Sequence, residues 1–142
     1  MRVGPALGWA LRAGLVFLAV APWVPELVQG LPGLDGLGRA LEAWFRFQCE
    51  RDPARSFAGV AVCVRCQGIY LGMGAGALFG RPRLRAPWHE LWIGAGALAM
   101  VIDVASEALD IRPAWWPLRL ATGLLLGYPA GVLLVRSLRA RA

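Results

Sequence analysis

Long apolar blocks dominate the chain, and short segments between them hold most of the charges. Four blocks are each near the ~20 residues that a helix needs to cross the hydrocarbon core of a bilayer. They cover residues 7–28, 59–79, 88–109 and 116–135. Because unpaired backbone groups are costly in lipid, each block is predicted to be helical. The pattern therefore predicts an all-α protein, a single integral membrane domain over residues 1–142 built as a four-helix transmembrane bundle.

A stretch between the first two blocks repeats its apolar residues at helical spacing. Over residues 34–48, Leu37, Leu41, Trp44 and Phe45 fall on one side of a helix and charged residues fall on the other. A helix of this kind either lies on the membrane surface or packs on the bundle. We predict an amphipathic interfacial helix in this first loop.

The composition agrees with a membrane protein. Hydrophobic residues make up 58% of the chain and charged residues only 17%, whereas soluble domains carry about a quarter charged residues. The net charge is +6, and there is no lysine. The arginines lie between the apolar blocks, which is typical of charges that flank membrane spans and argues against nucleic-acid binding. The lipid bilayer is the predicted partner.

The positions of the arginines predict an orientation. They cluster at both chain ends and in the link that contains Arg81, Arg83 and Arg85. By the positive-inside rule, both termini and this link are predicted to be cytoplasmic, which suits an even number of spans. The first loop holds further arginines among acids and is predicted to face outward. The protein is thus expected in the cell (inner, cytoplasmic) membrane as a multi-pass protein.

Glycines recur every fourth residue in the second and fourth blocks. The ladders are Gly68, Gly72, Gly76 and Gly80, and Gly123, Gly127 and Gly131. Small residues at this spacing let helix backbones approach closely. They predict tight helix packing, either within one chain or at the seam of a homo-oligomer or larger membrane complex.

The few polar residues inside the blocks fall at one predicted depth. Asp103 and Glu107 lie one turn apart in the third block, and Arg119 and Thr122 lie in the first turns of the fourth. With the orientation above, all four lie near the outer surface. Intramembrane acids are costly unless they are paired or line a wet cavity. They predict a polar site, an ion pair with Arg65 or Arg119, or both.

Three cysteines lie at the same predicted level. Cys63 and Cys66 open the second block, and Cys49 is in the loop before it. A helix N-terminus favours thiolates, which bind soft or borderline metal ions. We predict a metal site of the three sulfurs with Asp103 or Glu107, for zinc or another thiophilic ion.

Two other uses of the thiols stay open. One pair and an attacking thiol could run thiol–disulfide exchange, coupled to a quinone in the membrane. Alternatively, a structural disulfide could join Cys49 to Cys63 or Cys66 in a non-catalytic membrane subunit. Three cysteines cannot all pair within one chain. No nucleotide-binding glycine loop, Ser-His-Asp set or zinc-protease motif is present to predict another reaction.

Two stretches of the chain follow a longer signature. The signature reads Cys-His-Gln, Pro-x-Arg-Ser-Phe and Cys-x-Arg-Cys-x-Gly-Ile-Tyr-x-Gly, then an Asp followed by Arg-x-x-Thr-Gly-x-x-x-Gly. The matching positions are Cys49, Pro53, Arg55, Ser56, Phe57, Cys63, Arg65, Cys66, Gly68, Ile69, Tyr70, Gly72, Asp103, Arg119, Thr122, Gly123 and Gly127. In these residues the chain resembles a family of small prokaryotic membrane proteins of unknown function. The resemblance supports Arg55, Arg65, Tyr70, Arg119 and Thr122 as part of the polar site.

One position departs from that signature. The family's His after the first Cys is Glu50 here, and its Gln is Arg51. The family's Cys, His and two Cys look like a four-ligand metal set. In this chain the resemblance therefore implies that Glu50, or an intramembrane acid, takes the place of the His.

Overall fold

The described part of the chain is mainly helical. A computed structural model describes residues 5–49, 55–57, 60–80 and 86–139, and these ranges contain no strand. The elements are α1 (Pro5–Val20), a 3-10 turn (Ala21–Trp23), α2 (Val24–Val28), α3 (Asp35–Gln48), α4 (Val64–Phe79), α5 (Ala86–Ala108) and α6 (Trp116–Arg139). The predicted all-α class is confirmed.

Three helical stretches are long and apolar enough to cross a membrane. They are Ala6–Val28, Pro87–Ala108 and Trp116–Ser137, and they coincide with the first, third and fourth predicted spans. Their apolar side chains point outward to an unusual degree, since Phe17, Leu98 and Val101 are all exposed. Exposed apolar surface on this scale is expected where helices face lipid. The protein is therefore membrane-associated.

The second apolar block forms a shorter helix than the sequence predicts. The predicted start at Gly59 lies outside the described residues, and the next residues, 60–63, are not helical. The Ala61 N–H donates to the carbonyl of Pro22 at 3.0 Å, which ties this segment to the end of α1. Cys63 is extended, and α4 begins only at Val64. Cys63 therefore directly precedes the helix, and Cys66 lies in its first turn.

Helix α4 occupies the middle of the bundle. It packs most extensively against α6 and also against α1, whereas α5 packs against α6. A Cβ on Gly68 would lie 2.5 Å from the carbonyl oxygen of Leu120, and one on Gly72 would lie 2.7 Å from the nitrogen of Tyr128. No side chain fits at such distances, so the two backbones touch. The glycines of the two ladders thus face one another within a single chain.

The amphipathic helix α3 uses its apolar surface in two ways. Phe45 is fully buried in a cluster with the segment before α4, and Gly38 packs against Val28. On the neighbouring side of the helix, Trp44 and Phe47 are 54% and 92% exposed. The helix is docked on the bundle along one edge and leaves a second apolar edge open, which suits contact with a membrane surface.

Replacing a glycine at the α4–α6 contact should destabilise the fold. Gly72→Ala places a methyl group 2.7 Å from a backbone nitrogen of α6, and overpacking of this kind costs about 1–3 kcal/mol. We expect a lower melting temperature of the detergent-solubilised protein in a thermal unfolding scan. Gly94→Ala is the matched control, because nothing lies within 4 Å of its added Cβ. Equal melting temperatures for the two variants would contradict the close contact.

Candidate metal centre

Three sulfur atoms converge beside the start of α4. The Sγ atoms of Cys49, Cys63 and Cys66 all lie within 4.8 Å of one another, and no disulfide joins them. Sulfurs that share one ion at about 2.3 Å lie about 4 Å apart. A disulfide instead requires about 2.05 Å. The spacing therefore resembles that of ligands around a single metal ion.

Backbone hydrogen bonds fix where these cysteines lie. Cys49 directly follows the last residue of α3, and its N–H donates to the carbonyl of Phe45 at 2.9 Å. The N–H of Cys63 points back at the sulfur of Cys49, 3.5 Å away. The carbonyl of Cys63 then accepts a hydrogen bond of 2.9 Å from the N–H of Gln67. This bond closes the first turn of α4, which contains Cys66. The end of one helix and the beginning of another thus hold the three sulfurs together.

The surroundings of the sulfurs are mainly apolar. Cys49 is 8% exposed and belongs to a buried cluster with Phe45 and Val62, against which Cys63 and Cys66 also pack. Burial raises the pKa of the Cys49 thiol. A hydrogen bond with the side chain of Cys66 lowers the pKa of Cys63. The three thiols therefore influence one another's ionisation.

Tyr70 joins the two helices that carry the cysteines. Its hydroxyl donates to the side-chain oxygen of Gln48, the last residue of α3. Its ring meets that of Phe45 edge-on, with the ring centres 5.9 Å apart. Tyr70 lies one turn beyond Cys66, so it holds α3 beside the first turns of α4 and positions the cluster.

The first of the two acids in the last two turns of α5 is enclosed by cations. The side chain of Asp103 is 1% exposed. It accepts hydrogen bonds from Arg65 Nε at 2.9 Å and Nη2 at 2.6 Å, and from Arg112. The hydroxyl of Thr122 lies 3.4 Å away, within hydrogen-bond range. Removal of this carboxylate would leave the buried cations without compensation.

The second acid of α5 makes similar contacts one turn later. Glu107 accepts from Nε of Arg119 at 2.9 Å and again from the Nη2 of the same guanidinium. The Nη2 atoms of Arg65 and Arg55 lie 3.3 and 3.8 Å from its oxygens. Arg65 therefore bridges both acids, and the network connects α4, α5 and α6.

Four arginines share the two acids of this network. Arg55, Arg65, Arg112 and Arg119 each lie within ion-pair distance of Asp103 or Glu107. The sequence predicts the two carboxylates as metal ligands, but both accept hydrogen bonds from arginines. Among the described residues, the ligand atoms that converge are the three sulfurs. The other predicted ligand, Glu50, lies outside the described residues.

Sequence reasoning missed two residues of the site. Arg112 binds Asp103 and donates from Nε to the hydroxyl of Ser106 at 2.9 Å. A signal existed, because Arg112 stands in the short turn directly after two intramembrane acids. Gln48 is 22 positions from its partner Tyr70, and nothing local in the sequence marks it.

The apolar helices and the buried charges together define a membrane protein with a cysteine-rich site. The model of a family described as "Predicted membrane protein (DUF2085)" matches residues 49–133, more than half of the chain. The chain belongs to that family. No curated protein and no solved structure matches it.

Loss of the buried carboxylate should weaken the fold strongly. In Asp103→Asn, two arginines lose their counter-charge, and breaking a buried pair typically costs about 3–5 kcal/mol. We expect a lower free energy of unfolding by chemical denaturation in mixed micelles. Asp110→Asn is the matched control: Asp110 is exposed, and its positive φ of 53° is one that asparagine tolerates. A similar loss in both variants would contradict a structural role for the network.

Proposed function

We propose that the protein binds a thiophilic metal ion through Cys49, Cys63 and Cys66 at the outer face of the cell membrane. The observation that carries this proposal is the convergence of three sulfur ligands within 4.8 Å of one another. Soft thiolates select ions such as zinc and copper(I). The helix N-terminus at Val64 adds positive potential that stabilises the thiolates.

The arginine network supplies the rigid frame for that site. Arg65 lies between Cys63 and Cys66 in sequence, and its guanidinium is anchored on the two acids of α5. The first turn of α4 is therefore fixed relative to α5 and α6. In this proposal Asp103 and Glu107 act on the site by holding Arg65, and Arg55, Arg119 and Thr122 complete the frame.

We also propose that α4 is a fourth crossing, so that both termini are cytoplasmic. Its 16 residues extend over only about 24 Å, short of a typical hydrocarbon core. However, α1 and α6 cover it with protein, and a short span inside a bundle is tolerated. The positive-inside arrangement of the arginines supports the same topology.

The ladder glycines of α4 pack against α6 within the chain. We therefore propose the exposed face of α5 as the surface that contacts a further copy of the chain or another subunit.

Elemental analysis of the purified protein tests the metal proposal. We expect the reduced protein to hold, or to take up in titration, about one thiophilic ion per chain. Cys49→Ser, Cys63→Ser and Cys66→Ser should each lower the occupancy, because each removes one of three ligands. Met73→Leu is the matched control, since it removes a thioether from α4 away from the cluster. Absence of any bound ion in the reduced wild-type protein would refute the proposal.

Thiol–disulfide exchange is a second candidate, favoured by the proximity of three thiols that are not bonded to one another. The thiolate of Cys63 would attack a partner's disulfide and form a mixed disulfide, with release of one partner thiolate. Cys66 or Cys49 would then attack the sulfur of Cys63 and release the second partner thiol. The partner gains two electrons, and the cysteine pair loses two.

A trapping experiment distinguishes this candidate from metal binding. In the double variant Cys49→Ser/Cys66→Ser, no thiol remains to resolve the mixed disulfide. After incubation with oxidised glutathione, intact-mass measurement should show one stable glutathione adduct on this variant and an internal disulfide in the wild type. Adducts at equal levels in both proteins would rule out exchange through a resolving thiol.

A further inference from the structure

A small cleft lies between α2 and the first half of α3, whereas the sulfur cluster lies beyond the other end of α3. The cleft has a volume of about 220 Å³, and its apolar lining comes from Pro25, Val28 and Gly38. The two helices meet closely there, because a Cβ on Gly38 would lie 2.9 Å from the side chain of Val28. We propose that this cleft binds the headgroup of a phospholipid that carries both a phosphate and a primary ammonium group, as phosphatidylethanolamine does.

The position of the cleft along the chain is suited to a lipid headgroup. The first candidate membrane span, Ala6–Val28, ends among the residues that line the cleft. The end of a span lies where the hydrocarbon core gives way to the headgroup region of the bilayer. The same stretch of chain carries four leucines with exposed side chains, Leu27, Leu31, Leu34 and Leu37. A polar cleft in a segment with exposed apolar side chains suits a ligand that has a charged head and apolar chains.

The charged residues of the cleft complement both charges of such a headgroup. Asp35, Arg39 and Glu42 line the cleft and share one face of α3, because they are spaced four and three positions apart. Among the described residues, no ion pair joins Asp35 to Arg39, although they lie one turn apart. Glu42 also pairs with Arg46 at 3.8 Å, so Asp35 is the acid on which the proposal rests. A guanidinium group suits the phosphate, and a carboxylate suits the ammonium group.

The size and chemistry of the cleft select among phospholipids. Pockets that enclose a drug-sized ligand have about 300–1,000 Å³, so the cleft has room for a headgroup, with the acyl chains outside it. A primary ammonium group donates hydrogen bonds to carboxylates, whereas the trimethylammonium group of choline has no N–H and is typically bound by aromatic rings. None of the described residues that line the cleft is aromatic. A headgroup with negative charge alone is repelled by the carboxylates. We therefore expect phosphatidylethanolamine to bind in preference to phosphatidylcholine and phosphatidylglycerol.

Native mass spectrometry of the detergent-solubilised, full-length protein tests this inference. The three lipids, with identical acyl chains, are titrated separately. We expect phosphatidylethanolamine to bind about tenfold more tightly than the other two, which corresponds to about 1.4 kcal/mol. Glycerophosphoethanolamine has the headgroup without acyl chains and should compete much less well than the intact lipid. Equal competition by this soluble compound would show that the cleft takes a free ligand, and it would overturn the proposal of a lipid.

Two substitutions of exposed residues separate the parts of the headgroup. Asp35→Asn should abolish the preference for phosphatidylethanolamine over phosphatidylcholine, because it removes the carboxylate that accepts from the ammonium group. Arg39→Gln should weaken the binding of both lipids, because both contain the phosphate. Glu26→Gln is the matched control, since Glu26 is an exposed acid of α2 that is not among the lining residues.

Far-ultraviolet circular dichroism shows whether each variant is folded. The proposal is overturned if the wild-type protein binds the three lipids equally, or if the folded Asp35→Asn variant keeps the wild-type preference. Unchanged lipid affinity in the folded Arg39→Gln variant would overturn it as well. None of these outcomes bears on metal binding by the three cysteines, which is measured without added lipid.

Discussion

The close contact between the backbones of α4 and α6 is the constraint on which the rest of the structure depends. Lipid provides no hydrophobic force between helices, so association relies on packing and on polar contacts. A Cβ on Gly68 would lie 3.1 Å from Cα of Gly123, and this leaves room for backbone only. The contact sets the register of the two helices, and that register brings Arg65 and Arg119 to one level.

The buried charges then determine how α5 joins this pair. Asp103 and Glu107 are compensated by arginines from α4, from α6 and from the turn after α5. A mispaired α5 would leave charges without partners in a medium of low dielectric constant. The network therefore disfavours arrangements in which α5 is mispaired.

The sequence predicts those parts of the structure that rest on local periodicity. The first, third and fourth candidate spans, the helix α3 and the tight packing of the glycine-bearing helices follow from spacing along the chain. The choice between packing within one chain and packing between chains does not. The start of α4 could not be predicted from this spacing. The N–H of Ala61 donates to the carbonyl of Pro22, about 40 positions earlier in the chain, and this bond competes with helix formation at residues 60–63. The ion pair of Asp103 with Arg112 depends on how the turn between α5 and α6 folds back toward α5. The periodicity of the sequence does not predict that turn.

The three sulfurs lie where the end of α3 meets the start of α4, and Tyr70 of α4 also donates a hydrogen bond to Gln48 of α3 there. Cys49 directly follows the last residue of α3, whereas Cys63 directly precedes α4 and Cys66 lies in its first turn. An ion bound by all three would act as a clasp between the surface helix and the bundle. By mass action, the free energy of ion binding adds to the free energy that keeps α3 docked. The position of an amphipathic helix on the membrane would in this way depend on the supply of an ion.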